Sequence, residues 1–402
     1  MLYTHFTEKL LGLQGVKVTN VEDDEKNIMI YVELERHKHT CPCCGNVTDT
    51  IHDYRKQSIK DISAFGKSVT IVLRKRRYLC KSCGKRFPES NLFLPKYHRM
   101  TNRLSAFVID KLRDERSFTS VAKEVNLSVP TVIRIFDQVS YPKATLPQAL
   151  SIDEFKGNTW GEKYQCILAD PVNQVVLDIL PKRYSYYLTD YFKDFPVTNR
   201  KQVAYFVSDM WKPYAQTADV WFASATQVVD KYHWIRQAIW AFERVRKDEQ
   251  KKLGVSLRKY FKRSKSLLIK RFDKLTEQQK IEVNIMLYYS VNISRAYYYK
   301  ETFLKILDYE DPTAKKAAMK EWIASAERCG IAPFEKCAKT MQSWHSGIIH
   351  SLESSVTNGF TEGCNNKIKV LKRNAYGYRN FERFRNRILH MFSHQRNKQA
   401  AA

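Results

Sequence analysis

Two cysteine pairs with the same spacing constrain the fold of the N-terminal region more than any other feature of the sequence. Cys41 and Cys44 form one Cys-x2-Cys pair, Cys80 and Cys83 form a second, and a glycine follows each pair. Each such turn brings two thiolates to one side, and four thiolates complete the tetrahedral shell of structural zinc. Glycine permits the tight turn. The spacing therefore predicts that these four residues hold a structural Zn²⁺, with Cys43 outside the shell and a redox dithiol as the alternative.

The balance of charge indicates the chemical class of the partner. The 402 residues include 68 Lys and Arg against 42 Asp and Glu, which gives a formal net charge of +26 at pH 7. Such an excess implies a polyanionic partner, and nucleic acid is the commonest one. An anionic membrane surface is the alternative, but no amphipathic basic segment with apolar bulk stands out in the sequence.

Length, apolar runs and cysteine usage bound the class of protein. The chain is too long for one ordinary core, so we expect about two to four domains. No run reaches the roughly 20 apolar residues that span a bilayer, and the N-terminus lacks the layout of a secretory signal. The cysteines after the two pairs are scattered singly, as buried thiols in a reducing compartment are. We therefore expect a cytoplasmic, nucleoid-associated protein with no membrane partner.

Hydrophobic periodicity divides the chain into strand-rich and helical segments. Alternation typical of strands occurs at residues 28–34 and 69–79, and helical periodicity runs from about 101 to 140. Two prolines within residues 141–147 indicate a linker. A long helical block extends from about 233 to 350. Between the linker and this block we predict strands at 150–155, 164–170, 174–180, 203–209 and 228–230, and a helix at 186–192.

Residues 118–136 have the layout of a helix–turn–helix. Asn126–Ser128 form the predicted turn, its last residue caps the second helix, and Pro130 fits the first turn of that helix. Thr131 and Arg134 would then face a DNA major groove. An ordinary helical hairpin is the alternative. The apolar residues expected to pack inward are Val121, Ala122 and Val125 in the first helix and Val132, Ile133 and Phe136 in the second.

Three acids in different segments are candidate ligands of divalent metal ions. Asp153 lies in one predicted strand, Asp209 ends another, and Glu362 begins a predicted helix. Mg²⁺ prefers carboxylate oxygens, and in phosphoryl transfer two ions roughly 3.5–4 Å apart activate the attacking oxygen and stabilise the leaving oxygen. Together with the positive charge, these acids predict metal-dependent cutting and joining of DNA. The residues alone leave other acids open as ligands: Glu154, Asp170, Asp178 and Asp230.

Four segments together resemble the ISL-three (ISL3) family of bacterial insertion-sequence transposases. The most specific is Asn358–Lys369, which reads Asn-Gly-x-x-Glu-Gly-x-Asn-Asn-x-Ile-Lys and continues into Lys372-Arg373 and residues 376–381. The resemblance covers nearly the whole chain. One departure is Thr357, where we expect Ser, although a hydroxyl group remains. The other three segments are residues 151–155, 206–211 and 229–233.

The resemblance implies a multidomain α+β and α/β architecture. An N-terminal zinc ribbon and a helix–turn–helix would precede an RNase-H-like catalytic domain that an all-α insertion interrupts. The implied boundaries are 1–98 for the zinc-ribbon domain, 99–147 for the helix–turn–helix domain, 148–234 for the first part of the catalytic domain, 235–350 for the insertion, and 351–402 for the last part of the catalytic domain with a basic C-terminal tail.

By the same resemblance, Asp153, Asp209 and Glu362 are the DDE catalytic acids and bind two Mg²⁺ (or Mn²⁺) ions. His233, in an Asp230-x2-His233 element, would contact the scissile phosphate or orient an acid, and a core histidine is the alternative. The protein would bind double-stranded DNA at the terminal inverted repeats of its element, cleave it and join it to target DNA as a homodimer or larger assembly. Two alternatives stay open: a transposase-derived regulator that binds DNA without catalysis, and an RNase-H-type nuclease that does not join.

Basic and aromatic residues outside the acid set are candidate DNA contacts. Residues 361–402 carry ten Lys or Arg against two acids. Each phosphate contact releases counterions, so affinity should fall with salt. Trp322 and Trp344 are candidates for stacking on flipped bases, with a core position as the alternative. The basic candidates are Arg74, Arg76 and Arg77 before the second cysteine pair, Lys262 and Arg263 in the helical block, and Lys369, Lys372 and Arg373 after Glu362.

Overall fold

The computed structural model of the protein describes residues 2–94, 98–263 and 265–393. The chain forms two compact units. The first unit contains the residues up to Tyr141 together with Val370–Tyr378 and Glu382–Met391, and the second contains Pro142–Lys369 with Arg379–Phe381. The five boundaries given above are a finer division and stay a prediction. Within the described residues, we find no helix with the length and apolar character needed to span a bilayer.

The first unit begins with a sheet whose strand order is β1-β2-β6-β5, with β7 paired to β6. The two strands predicted here are present, and they pair with each other in parallel. Alternate residues of the first of them, Ile30, Val32 and Leu34, are buried in the core, as a strand with one apolar face requires. The elements are α1 (Leu2–Leu11), β1 (Val16–Asp23), β2 (Asn27–Leu34), β3 (His39–Thr40), β4 (Val47–Thr48), β5 (Ile51–Ala64), β6 (Lys67–Leu79) and β7 (Arg86–Pro88).

Three helices follow in the first unit: α2 (Asn102–Lys111), α3 (Phe118–Glu124) and α4 (Val129–Phe136). The last two form the predicted helix–turn–helix. Asn126 lies in the turn between them with a φ of +50°, a left-handed conformation that asparagine tolerates better than most residues. One packing prediction was wrong. Ile135 is buried rather than Ile133, because positions three and four residues after Val132 share its helix face.

The second unit contains a mixed sheet in the order β10-β9-β8-β11-β12. Strands β8, β9 and β10 form an antiparallel meander, and β11 pairs in parallel with both β8 and β12. This is the arrangement expected for an RNase-H-like domain, and each predicted strand is present. The elements are β8 (Ala149–Phe155), β9 (Gln165–Asp170), β10 (Val175–Leu180), α5 (Ser185–Lys193), α6 (Val197–Lys201), β11 (Tyr205–Ser208), α7 (Lys212–Trp221) and β12 (Thr226–Val229).

A helical block follows β12, and its described residues contain no strand. Trp234, Phe242 and Phe303 are buried in its core. Trp322 is also buried there and donates its indole N–H to the carbonyl of Tyr299 (2.9 Å), so it is a core residue and unavailable for base stacking. The helices are α8 (Lys231–Lys252), α9 (Val255–Arg263), α10 (Lys265–Ile269), α11 (Glu277–Tyr288), α12 (Val291–Ile306), α13 (Pro312–Glu327), α14 (Ala332–Ser343) and α15 (His345–Glu353).

Two helices end the described chain, α16 (Gly359–Asn374) and α17 (Phe381–Met391). Within the first unit, α17 packs on the helix–turn–helix region. Arg387 of α17 is fully buried and donates to the carbonyls of Leu112, Asp114 (3.1 Å) and Arg116 (2.9 Å). The prediction that basic residues of this segment grip DNA is therefore wrong for Arg387, which satisfies backbone carbonyls instead. The basic tail at 394–402 lies outside the described residues.

Candidate functional site

The structure brings the four predicted zinc ligands together. The Sγ atoms of Cys41 and Cys83 are 3.6 Å apart, those of Cys44 and Cys80 are 3.5 Å apart, and all four lie within 4.8 Å of one another. The glycines after the two pairs have positive φ angles, which permit the tight turns. The backbone amide of Cys83 lowers the pKa of the Cys80 thiol to about 6, which favours a thiolate. This set fits a tetrahedral Zn²⁺.

Strand pairing in the second unit places three aspartates in one row. Val207 of β11 pairs with Ser151 of β8, so two residues further along, Asp209 lies opposite Asp153. Ser208 pairs with Val229 of β12, and the amide of Asp230 donates to the carbonyl of Ser208 (2.9 Å), so Asp230 lies on the other side of Asp209. The row lies near the carboxyl ends of three parallel strands, an edge where ligands bind in open α/β sheets.

Asp153 is buried and has a defined partner for each carboxylate oxygen. Its Oδ1 accepts from the amide of Glu154 (2.7 Å), and its Oδ2 accepts from the Asn365 side chain (2.8 Å). Burial, together with the charge of Asp209, raises the pKa of Asp153 to about 7. A carboxylate in this position is therefore destabilised until a cation approaches it.

Asp209 is partly buried, and one of its carboxylate oxygens lacks a partner. Burial raises the pKa of Asp209 to about 6. Its Oδ1 has no hydrogen-bond partner among the described residues. A buried carboxylate oxygen without a donor is costly unless a cation binds it, so this atom fits a metal ligand.

Helix α16 presents Glu362 in its first turn, and two neighbouring residues fix that turn to β8. The Oγ1 of Thr361 lies 2.5 Å from the Oγ of Ser151, and Asn365 bonds Asp153. Burial, followed by the charge of Asp230, raises the pKa of Glu362. Glu362 is therefore close to the Asp230 side of the aspartate row.

The three acids do not converge on a single point. Among the described residues, only the four thiols form a group of three or more His, Cys, Asp or Glu side chains whose ligand atoms all lie within 4.8 Å of one another. A two-ion site distributes its ligands over centres roughly 3.5–4 Å apart and does not require such convergence. The donor set of Asp153, Asp209 and Glu362 is all carboxylate oxygen, which fits Mg²⁺ or Mn²⁺.

His233 lies on the first turn of α8, beside the aspartate row. Its Nδ1 is 2.8 Å from the Oδ2 of Asp230. This hydrogen bond, with smaller contributions from the charges of Asp209 and Asp153, raises the pKa of His233. The side chain is about 29% exposed, so it is not an enclosed core histidine. A cationic imidazole next to the acids can contact a phosphate oxygen.

The rival acids suggested by the sequence have other partners. Arg183 donates to both carboxylate oxygens of Glu154 (2.7 Å each). Asp170 accepts from the amides of the turn that follows β9, and Asp178 accepts from the Tyr191 hydroxyl (2.9 Å). These three acids stabilise the fold around the aspartate row.

The sequence analysis did not identify two residues that contribute to the site, Asn365 and Arg183. Asn365 was visible in the Asn-Asn motif after Glu362, at the helical spacing that places it one turn further on the same face. Arg183 carries no such signal, because it lies in the loop after β10 and reaches Glu154 only in the folded sheet.

The predicted DNA contacts differ in availability. On α4, Arg134 is exposed, and Thr131 bonds the Ser128 hydroxyl (2.8 Å). Arg74 is about half exposed and pairs with Glu33. The prediction for Arg76 is corrected, because its side chain is buried and bonded to Glu89, Glu33 and the carbonyl of Leu34. Arg77 is partly buried and bonds Asp53 (2.9 Å).

The basic candidates of the second unit include the end of α9, where Lys262 and Arg263 are exposed. Lys262 lines a cavity of about 710 Å³ with other cations of α8 and α9. On α16, Lys369 and Arg373 are exposed and Lys372 is partly buried. Trp344 is partly buried against the helical core.

Three family models match successive parts of the chain. Residues 150–388 match the ISL3 family model described as a transposase. Residues 37–83 match the zinc-finger of transposase IS204/IS1001/IS1096/IS1165, and residues 89–140 match the helix-turn-helix domain of transposase family ISL3.

Individual relatives agree with these matches over different lengths. The transposase for insertion sequence element IS1001 from Bordetella parapertussis is 28% identical over 96% of this chain and 97% of its own length. The transposase for insertion sequence element IS1557 from Mycobacterium tuberculosis is 27% identical over 35% of this chain and 31% of its own length. A Lactococcus lactis protein named ATP-dependent protease is 45% identical over 14% of this chain and 18% of its own length.

Proposed function

The chain belongs to the ISL3 family of transposases, and from this premise we propose that Asp153, Asp209 and Glu362 form a DDE catalytic site for metal-dependent DNA strand cleavage and strand transfer. The observation that carries the proposal is the register of β8 and β11, which pairs Val207 with Ser151 and, extended by two residues, sets Asp209 opposite the buried Asp153. Two neighbouring carboxylates, one buried and one partly buried, repel each other unless a cation lies between them. Such an arrangement favours metal binding over a purely structural role.

The positions of the acids and of His233 suggest a separate role for each. When bound, two Mg²⁺ (or Mn²⁺) ions supply Lewis-acid stabilisation of the attacking and leaving oxygens. Asp153 and Asp209 hold that charge from the sheet, and Glu362 contributes its carboxylate from α16. The 2.8 Å contact between Asp230 and the Nδ1 of His233 holds the imidazole ring in one orientation. The other ring nitrogen would then be available to contact a phosphate. Hydrolysis at the element end would free a 3′-hydroxyl, which would attack a target phosphodiester and displace the 3′-oxygen of the target strand.

DNA recognition is assigned to the first unit and to basic surfaces of the second. Thr131 and Arg134 on α4 would read base edges, because this helix follows the turn of a helix–turn–helix. Arg74 and Arg77 are the remaining contacts proposed for the zinc ribbon, since Arg76 is buried. Phosphates would be neutralised without regard to sequence by Lys262, Arg263, Lys369, Lys372 and Arg373. Concerted action on two inverted repeats would require a homodimer or larger assembly.

Purified protein with its element ends tests the catalytic assignment. Asp153→Asn, Asp209→Asn and Glu362→Gln should each abolish Mg²⁺-dependent nicking and joining and retain end binding in a gel-shift measurement. Asp190→Asn, at an exposed acid of α5, is the matched control and should cut normally. Retained nicking in one of the three variants would remove that residue from the site. Nicking without a joined product would favour an RNase-H-type nuclease, and end binding without either would favour a regulator.

A further inference from the structure

Helix α8 begins immediately after Asp230 and carries a row of aromatic and basic side chains that the proposed chemistry does not use. We call Tyr232, Arg236, Trp240, Arg244, Lys247 and Lys251 the α8 stripe. At about 100° per residue these positions fall within a sector of roughly 120° of the helix circumference. Core residues such as Trp234 and Phe242 occupy other sides of the helix. The α8 stripe therefore forms a largely solvent-facing strip that starts beside the aspartate row, although Glu243 and Gln250 in the same sector are buried.

The first part of the α8 stripe is a preformed stack. The Arg236 guanidinium carbon lies 4.4 Å from the ring centroid of Trp240 and 5.4 Å from that of Tyr232. Trp240 is 49% exposed and Tyr232 is 51% exposed, although Trp234 on the same helix is fully buried. Cation–π contact holds the arginine plane and both rings in place while leaving aromatic surface accessible to solvent.

A cavity of about 340 Å³ adjoins this stack. Its apolar lining includes Ile235, Ile239 and Ile269, and Lys247 and Lys265 lie at its basic end. The acid that also borders it, Glu243, is already paired with Arg246 and Lys265 and therefore adds little unneutralised negative charge. The volume is at the lower limit of ligand pockets. An apolar lining that also includes aromatic rings and cations is complementary to one nucleobase and its phosphate.

We propose that the α8 stripe binds an unpaired DNA strand next to the cleavage site, with a base stacked on Trp240 and phosphates bound by Lys247 and Lys251. The proposal rests on the catalytic assignment made above. Trp240 lies ten residues after Asp230, about 15 Å along the helix axis, so the stacked base would be a few nucleotides from the cleaved phosphate. Stacking platforms combined with a basic groove are the usual means of binding single strands.

Paired DNA fits these observations less well. In a duplex the bases stack on each other and present only their edges, so a duplex would use the lysines but would leave the faces of Trp240 and Tyr232 without partners. The aromatic part of the α8 stripe therefore favours a strand whose bases are already separated, as in a frayed or partly cleaved element end.

Binding measurements on the full chain in a Glu362→Gln background test the proposal without cleavage. One substrate is a blunt duplex element end, and the other carries five unpaired nucleotides beyond the same end, with 2-aminopurine in the unpaired part. We expect Trp240→Ala to weaken binding of the second substrate by roughly 5- to 100-fold, as loss of one stacked base does. Binding of the blunt duplex should change less than about twofold, and quenching of 2-aminopurine should be lost.

Two further variants separate stacking from folding. Trp240→Leu keeps apolar bulk at the cavity and should also lose quenching, while Tyr288→Ala, at an aromatic of α11 that is 88% exposed, should behave like the parent protein. Lys247→Ala should reduce the salt dependence of unpaired-strand binding by about 0.7 in log–log slope. Unchanged binding and quenching in both Trp240 variants, or equal weakening on both substrates, would overturn the proposal. Cleavage by Glu362→Gln would instead contradict the catalytic assignment and leave the α8 stripe result intact.

Discussion

Two acids, one in each unit, have buried carboxylate oxygens with opposite surroundings. Glu89 in the first unit is 2% exposed and accepts from both the backbone and the guanidinium of Arg76, which is itself buried. Asp209 in the second unit lies between Asp153 and Asp230 in register and has an oxygen without a donor among the described residues. Removing the partner of a buried charge strongly destabilises the fold, whereas a buried oxygen that has no protein partner fits a ligand site. The contrast distinguishes structural from chemical acids by partner rather than by burial.

The sharpest test of this contrast replaces the unpartnered acid. Asp209→Asn should lower the rate of strand cleavage by at least roughly 10³-fold, because loss of one residue of a catalytic unit costs about as much as loss of all of them. Its melting temperature in Mg²⁺-free buffer should not fall, since a neutral amide replaces a buried charge. Cleavage assays and thermal unfolding measure the two effects. A variant that loses stability and keeps its activity would reverse the assignment of Asp209.

The partnered acid should respond in the opposite way. Arg76→Ala leaves Glu89 buried without its cation, and this should lower the free energy of unfolding by about 3–5 kcal/mol. Arg74→Ala removes an exposed pair with Glu33 and should cost about 0–1 kcal/mol. Denaturant unfolding compares the two variants. Equal losses would show that the burial of Arg76 has no energetic consequence.

Asn365 tests whether the catalytic acids need their own positioning residue. Asn365→Ala removes the donor to the Oδ2 of Asp153 and should weaken the apparent Mg²⁺ affinity by roughly 10- to 100-fold, as loss of a ligand's hydrogen-bond partner does. The neighbouring exposed residue supplies the control, because Asn366→Ala should leave the Mg²⁺ dependence unchanged. The measurement is cleavage rate against Mg²⁺ concentration. Identical curves for both variants would exclude this role for Asn365.

The smallest expected effect is a pH dependence of stability. The pKa values of Asp153 (about 7) and Asp209 (about 6) lie above that of an ordinary aspartate. Raised folded-state pKa values contribute stability at low pH, and this contribution is lost as pH rises through about 6 to 7. Melting temperature in Mg²⁺-free buffer should therefore fall by a few degrees between about pH 5 and pH 8, and Mg²⁺ should restore it.

The double variant Asp153→Asn with Asp209→Asn is the control for that pH effect. It should show a flatter pH profile and little response to Mg²⁺. Chelators are avoided in this measurement because they would also remove zinc from the site formed by the four cysteines. A profile as steep as that of the parent protein would show that other groups titrate.

Local patterns predicted the elements and the cysteine site well, for physical reasons. The spacing within Cys41–Cys44 and Cys80–Cys83 sets the local turns, and the apolar runs of β8 and β11 reflect strands whose residues are nearly all buried. Asp153, Asp209 and Glu362 could be selected from the rival acids only through the family resemblance. The register in which two strands pair cannot be read from the sequence of either strand alone. These assignments remain proposals about residues whose positions are now described.

Tertiary partners account for what the sequence analysis missed. Arg74 and Arg76 belong to one basic run, and their difference depends on β7, which brings Glu89 beside only one of them. Trp240 and Trp322 are both tryptophans in helices, yet helix packing exposes the first and buries the second. A side chain's partner, rather than its type, decides its role at these positions.

The burial of Arg387 against carbonyls of residues 112–116 has a consequence for synthesis of the protein. During translation, Arg116 is added to the chain 271 residues before Arg387. Domains generally fold as they emerge, but the carbonyls next to this helix–turn–helix obtain the Arg387 donor only after α17 has been synthesised. Prematurely terminated products that stop before α17 would carry the DNA-reading helices without that support. Final packing of the helix–turn–helix region therefore depends on synthesis of α17.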